Sequence, residues 1–305
     1  YLGIQTFDPE QVILIHSEQT REEAERIATE VPTSTSVTFR LLDPVDLTAI
    51  LKVAEDCAAK VRKTDTVSVN VSGGTKPWAL AFFTFFSKLE QATVVYIDQN
   101  CRVWDFSTGI NHLVEFEMDV LFRLYGNPLT DYTAFKDYTK QDLQMLSKVK
   151  RLRSFNHSEF YEVTKPFEKN PSTSMSTTKV GSSLQWDSSS DAFVIHLKNK
   201  KGKVFSERLS SPHIRQLLLN TGWFEYEVAT VLAKWDKQKE IRMNCLFPTK
   251  NRPNPKELPK NEIDIIVDTG TKLLFVECKT QVYNNTDIDK FNSAVKNYGG
   301  MGSKA

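Results

Sequence analysis

Asn261-Glu262-Ile263-Asp264-Ile265-Ile266-Val267-Asp268-Thr269-Gly270-Thr271-Lys272-Leu273-Leu274-Phe275-Val276-Glu277-Cys278-Lys279 carries more structural information than any other part of the chain. Two strand-like runs, 262–267 and 273–278, flank a turn at 268–272, which predicts an antiparallel hairpin. With the turn centred near Gly270, Glu262 falls approximately opposite Glu277, and Asp264 lies diagonal to Glu277 on the same face. Lys279, two residues beyond Glu277, projects to that face as well. Ile263, Ile265, Val267, Leu274, Val276 and Cys278 form an apolar opposite face. Clustered acids in a partly buried strand repel one another and resist desolvation. A Mg²⁺ or Mn²⁺ ion held by oxygen ligands relieves both effects. Asp264, Glu277 and Glu262 are the candidate ligands. Such an ion lowers the pKa of bound water and stabilises charge on a cleaving phosphodiester. Lys279 can position that water or neutralise the developing charge. A plain amphipathic hairpin with a solvated acidic face has the same spacing, so the surroundings must decide.

Outward from the hairpin, residues 252–260 hold three prolines and predict an extended loop. Residues 212–233 read as helix with a break at Gly222, and 287–298 as a further helix. Residues 172–190 are rich in Ser and Thr and read as exposed loop or strand edge. Residues 191–197 and 204–209 read as a hairpin across a Lys/Gly turn. Residues 151–305 carry 24 Lys and Arg against 17 acids, whereas residues 1–150 carry 15 against 21. This asymmetry suits a second half that meets a polyanion, with Lys198, Lys200, Lys201 and Lys203 as candidates for backbone contact. A solvated hairpin tip explains those lysines equally well.

The first half alternates strand and helix: strands at 12–16, 37–41, 67–71 and 93–97, helices at 20–31, 46–62 and 76–89, then a hairpin edge at 101–106. That order predicts a parallel, doubly wound α/β sheet. Residues 107–150 read as a connecting element with helix at 114–124 and 140–149. The third strand runs into Ser72-Gly73-Gly74-Thr75-Lys76-Pro77. Pro77 suits a first helical turn, and Ser72 or Thr75 can cap it. Backbone N–H groups, the helix dipole and Lys76 together make an anion seat. His16-Ser17-Glu18-Gln19-Thr20 and Asp98-Gln99-Asn100 lie at the same carboxyl end of the sheet. Neither GxxxxGK[ST] nor GxGxxG occurs, which weakens a P-loop or nicotinamide reading.

Four widely spaced cysteines without a CxxC pair are expected to be reduced thiols, with no zinc site. No apolar run is long enough to span a membrane and no signal peptide is evident, so a cytoplasmic protein is expected.

Two of these segments resemble known families. Asn261-Glu262-Ile263-Asp264 with Phe275-Val276-Glu277-Cys278-Lys279 is similar to the PD-(D/E)xK restriction-endonuclease superfamily, although no proline precedes Asp264. The resemblance implies Asp264 and Glu277 as metal ligands and Lys279 as the completing base or charge. Gly222-Trp223-Phe224-Glu225 resembles the corresponding segment of CRISPR ancillary nucleases, which implies Glu225 as a further acid of the site. Ser17-Glu18-Gln19-Thr20 combined with Ser72-Gly73-Gly74-Thr75-Lys76 resembles the CARF domain, the sensor of cyclic oligoadenylates in type III CRISPR defence. That likeness implies a ligand site of Ser17, Gln19, Thr20, Ser72, Gly73, Gly74, Thr75, Lys76 and Gln99. It also implies a homodimer with the ligand across its axis, cyclic tetra-adenylate being the family's commoner ligand.

The expected organisation is a Rossmann-like CARF domain at 1–108, a connector at 109–150, and an α/β restriction-endonuclease-like domain with a mixed sheet at 151–305. The expected activity is cleavage of DNA and/or RNA. Two rivals remain. A HEPN ribonuclease would use Arg151, Arg153 and His157 within a helical bundle, and a non-catalytic CARF regulator would bind DNA without cutting it.

Overall fold

Strand and helix alternate through the first hundred residues in the computed structural model, which describes residues 1–248, 261–279, 285–299 and 303–304. Gln11–His16 pairs parallel with Ser36–Leu41, and Val67–Asn70 pairs parallel with Ala92–Ile97. The parallel pairing follows from the intervening helices, Arg21–Thr29 and Lys76–Phe86, since parallel neighbours need a crossover. Arg102–Asp105 and Asn111–Leu113 add antiparallel strands to the second pair. The α/β class is as expected, with one difference: among the described residues the two parallel pairs belong to separate sheets. Ile50 and Ala54 of the Leu47–Ala58 helix meet Trp78, Phe82 and Phe86 of Lys76–Phe86 in a core at helical spacing.

The second half holds two further sheets. One is an antiparallel meander of Met175–Thr177, Ser183–Asp187, Ala192–Lys198 and Val204–Leu209. The Ser/Thr-rich residues 172–190 therefore contain two strands, and the fully buried Leu184 anchors the second of them. The other sheet is mixed, as expected, in the order Ser303–Lys304, Leu273–Val276, Asn261–Asp268, Glu240–Phe247, Asp131–Ala134. Glu240–Phe247 adds a strand not among those expected, although Ile241, Met243, Cys245 and Phe247 alternate with polar Glu240, Arg242 and Asn244. The expected helix at 212–233 does break, into Ile214–Leu218 and Gly222–Leu232. The expected loop at 252–260 lies outside the described residues.

Residues 109–150 contribute to both halves. Asn111–Leu113 extends the N-terminal sheet, Asp131–Ala134 forms the edge of the mixed sheet, and Lys140–Phe155 enters the main core. A Thr139/Asp142 capping box starts that helix. The helix His157–Lys169 follows directly; Pro166 in its last turn hides it from periodicity. Among the described residues, no helix is long and apolar enough to cross a membrane.

The HEPN rival finds no support in this architecture. Residues 175–209 form a β-meander in place of a helical bundle, while Arg151 lies over Phe205 (5.4 Å) and Arg153 over Trp223 (4.1 Å) as packing cations.

Candidate active site

The hairpin forms, but in a different register from the one expected. Ile265 pairs with Val276, Ile266 with Phe275, Val267 with Leu274 and Asp268 with Leu273. The turn is thus 269–272, and Glu262 does not face Glu277. The displacement is two residues, so each side chain keeps its face. Thr269 accepts through Oγ1 from Lys272 N–H (3.0 Å), Asp268 Oδ1 accepts from Gly270 N–H (2.6 Å), and Gly270 takes φ 83°. A left-handed residue there suits glycine. The strand ends at Val276. Beyond it, Cys278 N–H donates to Asp264 Oδ2 at 2.5 Å, so a carboxylate takes the place of a ladder carbonyl.

The expected division into one apolar and one charged face also needs correction. Ile265 and Val267 belong to the main core, whereas Ile266, Leu273 and Phe275 belong to a second core with Phe122, Phe247 and Tyr298. Both faces of the hairpin are covered near its tip. The acids escape burial in that second core because alternation is broken at Asn244. This residue has φ 52°, and the pairing of Glu240–Phe247 with Asp131–Ala134 slips between Met243 and Leu246. Before the irregularity Ile241 and Met243 join the main core; after it Cys245 and Phe247 join the second. On the partner strand Ile265 and Ile263 divide in the same way. A bulge of this kind re-aims side chains. Here it turns Glu262 and Asp264 toward the helix Gly222–Leu232. Asn in mid-strand, one of the few residues that tolerates the left-handed region, was the available sequence signal.

That helix delivers Glu225, which is buried (7% exposed) and accepts a hydrogen bond from Thr221 Oγ1 (3.2 Å). Gly222 is required for a packing reason. A Cβ there would stand 1.8 Å from the backbone carbonyl oxygen of Gln216, so the two short helices meet through bare backbone. Glu225, Glu262, Asp264, Cys278 and Lys279 line one cleft of about 560 Å³. Glu277 acts on it through charge and pairs with Lys279 at 2.5 Å.

Electrostatics confirm that the acids are close. Burial first, then the charge of Asp264, pushes Glu225 up to about 8. Burial, together with Glu277 and Glu262, raises Asp264 to about 6 against the opposing Cys278 hydrogen bond and Lys279. Glu262, more exposed, is raised by burial and by Glu277 against the charge of Lys279. Among the described residues, no group of three or more His, Cys, Asp or Glu side chains stands in position to hold a metal ion. The donor set still fits a hard divalent cation: carboxylate oxygens in a cleft, with Glu225, Glu262 and Asp264 raised first by burial and then by neighbouring acids.

The Ser72–Lys76 turn has a different character. Gly74 takes φ 77°, and a Cβ there would meet Trp78 Cε3 at 2.6 Å, so glycine is dictated twice. Thr75 occupies the N-cap position of the following helix as expected, but neither its side chain nor that of Ser72 makes a cap hydrogen bond. Ser72 Oγ donates to Asn70 Oδ1 (2.5 Å) and accepts from Ile97 N–H (2.5 Å); Thr75 Oγ1 donates to Pro44 O (3.0 Å). These bonds shape the turn. Ser17 is buried, and its N–H donates to Thr20 Oγ1 (3.0 Å). Gln19, Gly73, Lys76 and Gln99 are exposed.

The two regions touch. Lys272 Nζ donates to Gln99 O, Phe116 N–H donates to Gly270 O (2.9 Å), and Lys239 pairs with Glu115. The hairpin tip thus rests on the N-terminal half, while its acids sit at the other end.

Residues 4–116 match the family model described as the Card1 CARF domain. No curated protein matches the chain. Among solved structures, Can2 from Sulfobacillus thermosulfidooxidans in complex with cyclic tetra-adenylate is 18% identical with a TM-score of 0.65, covering 100% of this chain and 84% of that one. Protein VC1899 from Vibrio cholerae is 13% identical with a TM-score of 0.69, covering 97% and 80%. A type III CRISPR defence DNA nuclease activated by cyclic oligoadenylate is 17% identical with a TM-score of 0.58, covering 100% of this chain and 42% of that one. The chain therefore joins an N-terminal domain matching the Card1 CARF domain to a C-terminal α/β half, in a fold it shares over its length with Can2.

Proposed function

We propose that the chain is a metal-dependent nuclease of type III CRISPR defence, switched on by a cyclic oligoadenylate of which cyclic tetra-adenylate is the first to test. The observation that carries this reading is the convergence of Glu225, Glu262, Asp264 and Lys279 on one cleft, with Glu277 acting on it through charge. Asp264 and Glu277, assisted by Glu262, would hold Mg²⁺ or Mn²⁺. Such an ion, when bound, supplies Lewis acidity toward a phosphodiester and an acidified water. Glu225 holds a proton near neutral pH and can exchange it with water in the cleft. Lys279, paired to Glu277, brings positive charge to the developing anion.

The sensor reading draws on the family match over 4–116 and on the cyclic tetra-adenylate bound by Can2. Ser17, Gln19, Thr20, the Ser72–Lys76 turn and Gln99 would form half of the ligand bed in a homodimer. Val45, Leu47, Leu51 and Leu80 support pairing: all are exposed apolar residues on the segments that flank the turn. Ligand closure would reach the acids through residues 107–150 and through the hairpin tip seated on Gln99 and Phe116.

The test is direct. Purified chain with Mg²⁺ or Mn²⁺ is mixed with single-stranded DNA, duplex DNA or RNA, with and without cyclic tri-, tetra- and hexa-adenylate. Cutting that needs both ion and cyclic ligand supports the reading. Cutting without ligand removes the sensor, and a folded protein that never cuts removes the nuclease.

A further inference from the structure

The cleft that holds the acids has a charge problem of its own. Asp131, Glu168, Glu225, Glu262 and Asp264 line it, against two cationic side chains, Arg215 and Lys279. Lys279 is bonded to Glu277. A nucleic-acid strand brings a negative charge with every phosphate, so it needs a positive contact not already spent on a carboxylate. Arg215 meets that need. Among the described residues it forms no ion pair; its guanidinium lies 4.2 Å from the centroid of Trp186 and 5.5 Å from that of Phe193. Stacking engages the flat face of the group and leaves its N–H edge for hydrogen bonds, which match phosphate oxygens two at a time.

Its position is set from three sides. His213, two residues before, is tied to Asp142 through its backbone N–H (3.0 Å) and its ring (3.1 Å). Asp142 is fully buried and accepts also from Thr139, which fixes it in the helix cap. Gly222 then lets the next helix close onto the Gln216 backbone, bringing Glu225 alongside. An arginine held in place by stacking rather than by a carboxylate keeps its N–H edge available to an anion entering the cleft.

Resting on the nuclease reading above, we infer that Arg215 is the phosphate contact that seats the substrate strand in the acidic cleft. The experiment uses the full chain with activator and the best substrate. It measures kcat, KM, melting temperature and the slope of log(kcat/KM) against log salt for wild type, Arg215→Ala and Arg215→Lys. Arg215→Ala is expected to lower kcat/KM about thirtyfold, mainly through KM. It should reduce the salt slope by about 0.7 on a single strand or 0.9 on a duplex. Arg215→Lys should keep the slope and recover part of the rate. An unchanged kcat/KM, or a loss with an unchanged salt slope, overturns the inference, the latter assigning Arg215 to packing on Trp186. If wild type cuts nothing, the nuclease reading falls separately. Binding of a labelled single strand across a salt series, wild type against Arg215→Ala, then decides the contact by the same slope.

Discussion

The Ser72–Lys76 turn and the 261–279 hairpin are both polar sites at strand ends, yet they are built on opposite terms. In the turn, each hydroxyl already has a partner: Ser72 bridges Asn70 and Ile97, and Thr75 holds Pro44. What stays exposed is a neutral bed with one lysine. At the hairpin cleft, Glu225, Glu262 and Asp264 are raised by burial and by neighbouring carboxylates, Glu277 among them, so that a proton or a cation relieves the cluster. A site whose shape is finished can receive a ligand without reorganising. A site held in electrostatic conflict changes its state when a cation or a proton arrives. On the proposed function, sensing and chemistry fall to the regions whose local physics suits them.

The largest effect expected to break this contrast is at Asp264. Asp264→Asn removes the charge but keeps an oxygen to accept from Cys278 N–H. Cleavage should fall about a thousandfold, while the metal-free melting temperature holds or rises, because repulsion is relieved. A melting temperature well below wild type would mean that the acid is structural. Next in size are the glycines. Gly222→Ala drives a Cβ into the Gln216 carbonyl and should destabilise by about 1–3 kcal/mol, with loss of cleavage. Gly74→Ala, strained at φ 77° and against Trp78, should cost a similar amount, but its functional loss should appear in ligand affinity. The two variants ought therefore to separate sensing from cutting. Lys272→Ala, at the tip contact with Gln99, is a smaller change. It should reduce stimulation by ligand severalfold, with ligand affinity and stability nearly constant; unaltered stimulation would exclude the tip as a route.

A pH scan sharpens the same comparison. Glu225 near 8 and Asp264 near 6 hold protons in the folded state that the unfolded chain has released. Their contribution to stability is complete below the unfolded values and is lost as pH rises through the folded ones. In EDTA the melting temperature should fall between about pH 5 and pH 8, and Glu225→Gln should flatten the upper part of that fall.

Much of this was legible in the sequence, and the failures have physical causes. Gly270, Pro77 and the strand–helix alternation were readable because turn and cap chemistry is local. Asp264 and Glu277 were readable as a same-face pair because hairpin spacing is local, whereas Glu225 came only from the resemblance of Gly222–Glu225 to CRISPR ancillary nucleases. The register was off by two residues, since the turn closes on Thr269 and Lys272 rather than around a central glycine. The strand Glu240–Phe247 carried a local alternation that went unread, whereas the bulge, signalled by Asn244 alone, depends on pairing with Asp131–Ala134 more than one hundred positions away. Arg215 gave no signal either: its stack on Trp186 joins two elements that periodicity treats as unrelated.

The coupled acids are best tested by titrating the metal-free chain with Mn²⁺ at pH 7 in a calorimeter, in two buffers of different ionisation enthalpy. With Glu225 near 8, cation binding should expel about one proton, and Glu225→Gln should bind Mn²⁺ while expelling almost none. Binding of Mn²⁺ without proton release by wild type, or no binding at all, would contradict a single repulsive carboxylate cluster as the reaction centre.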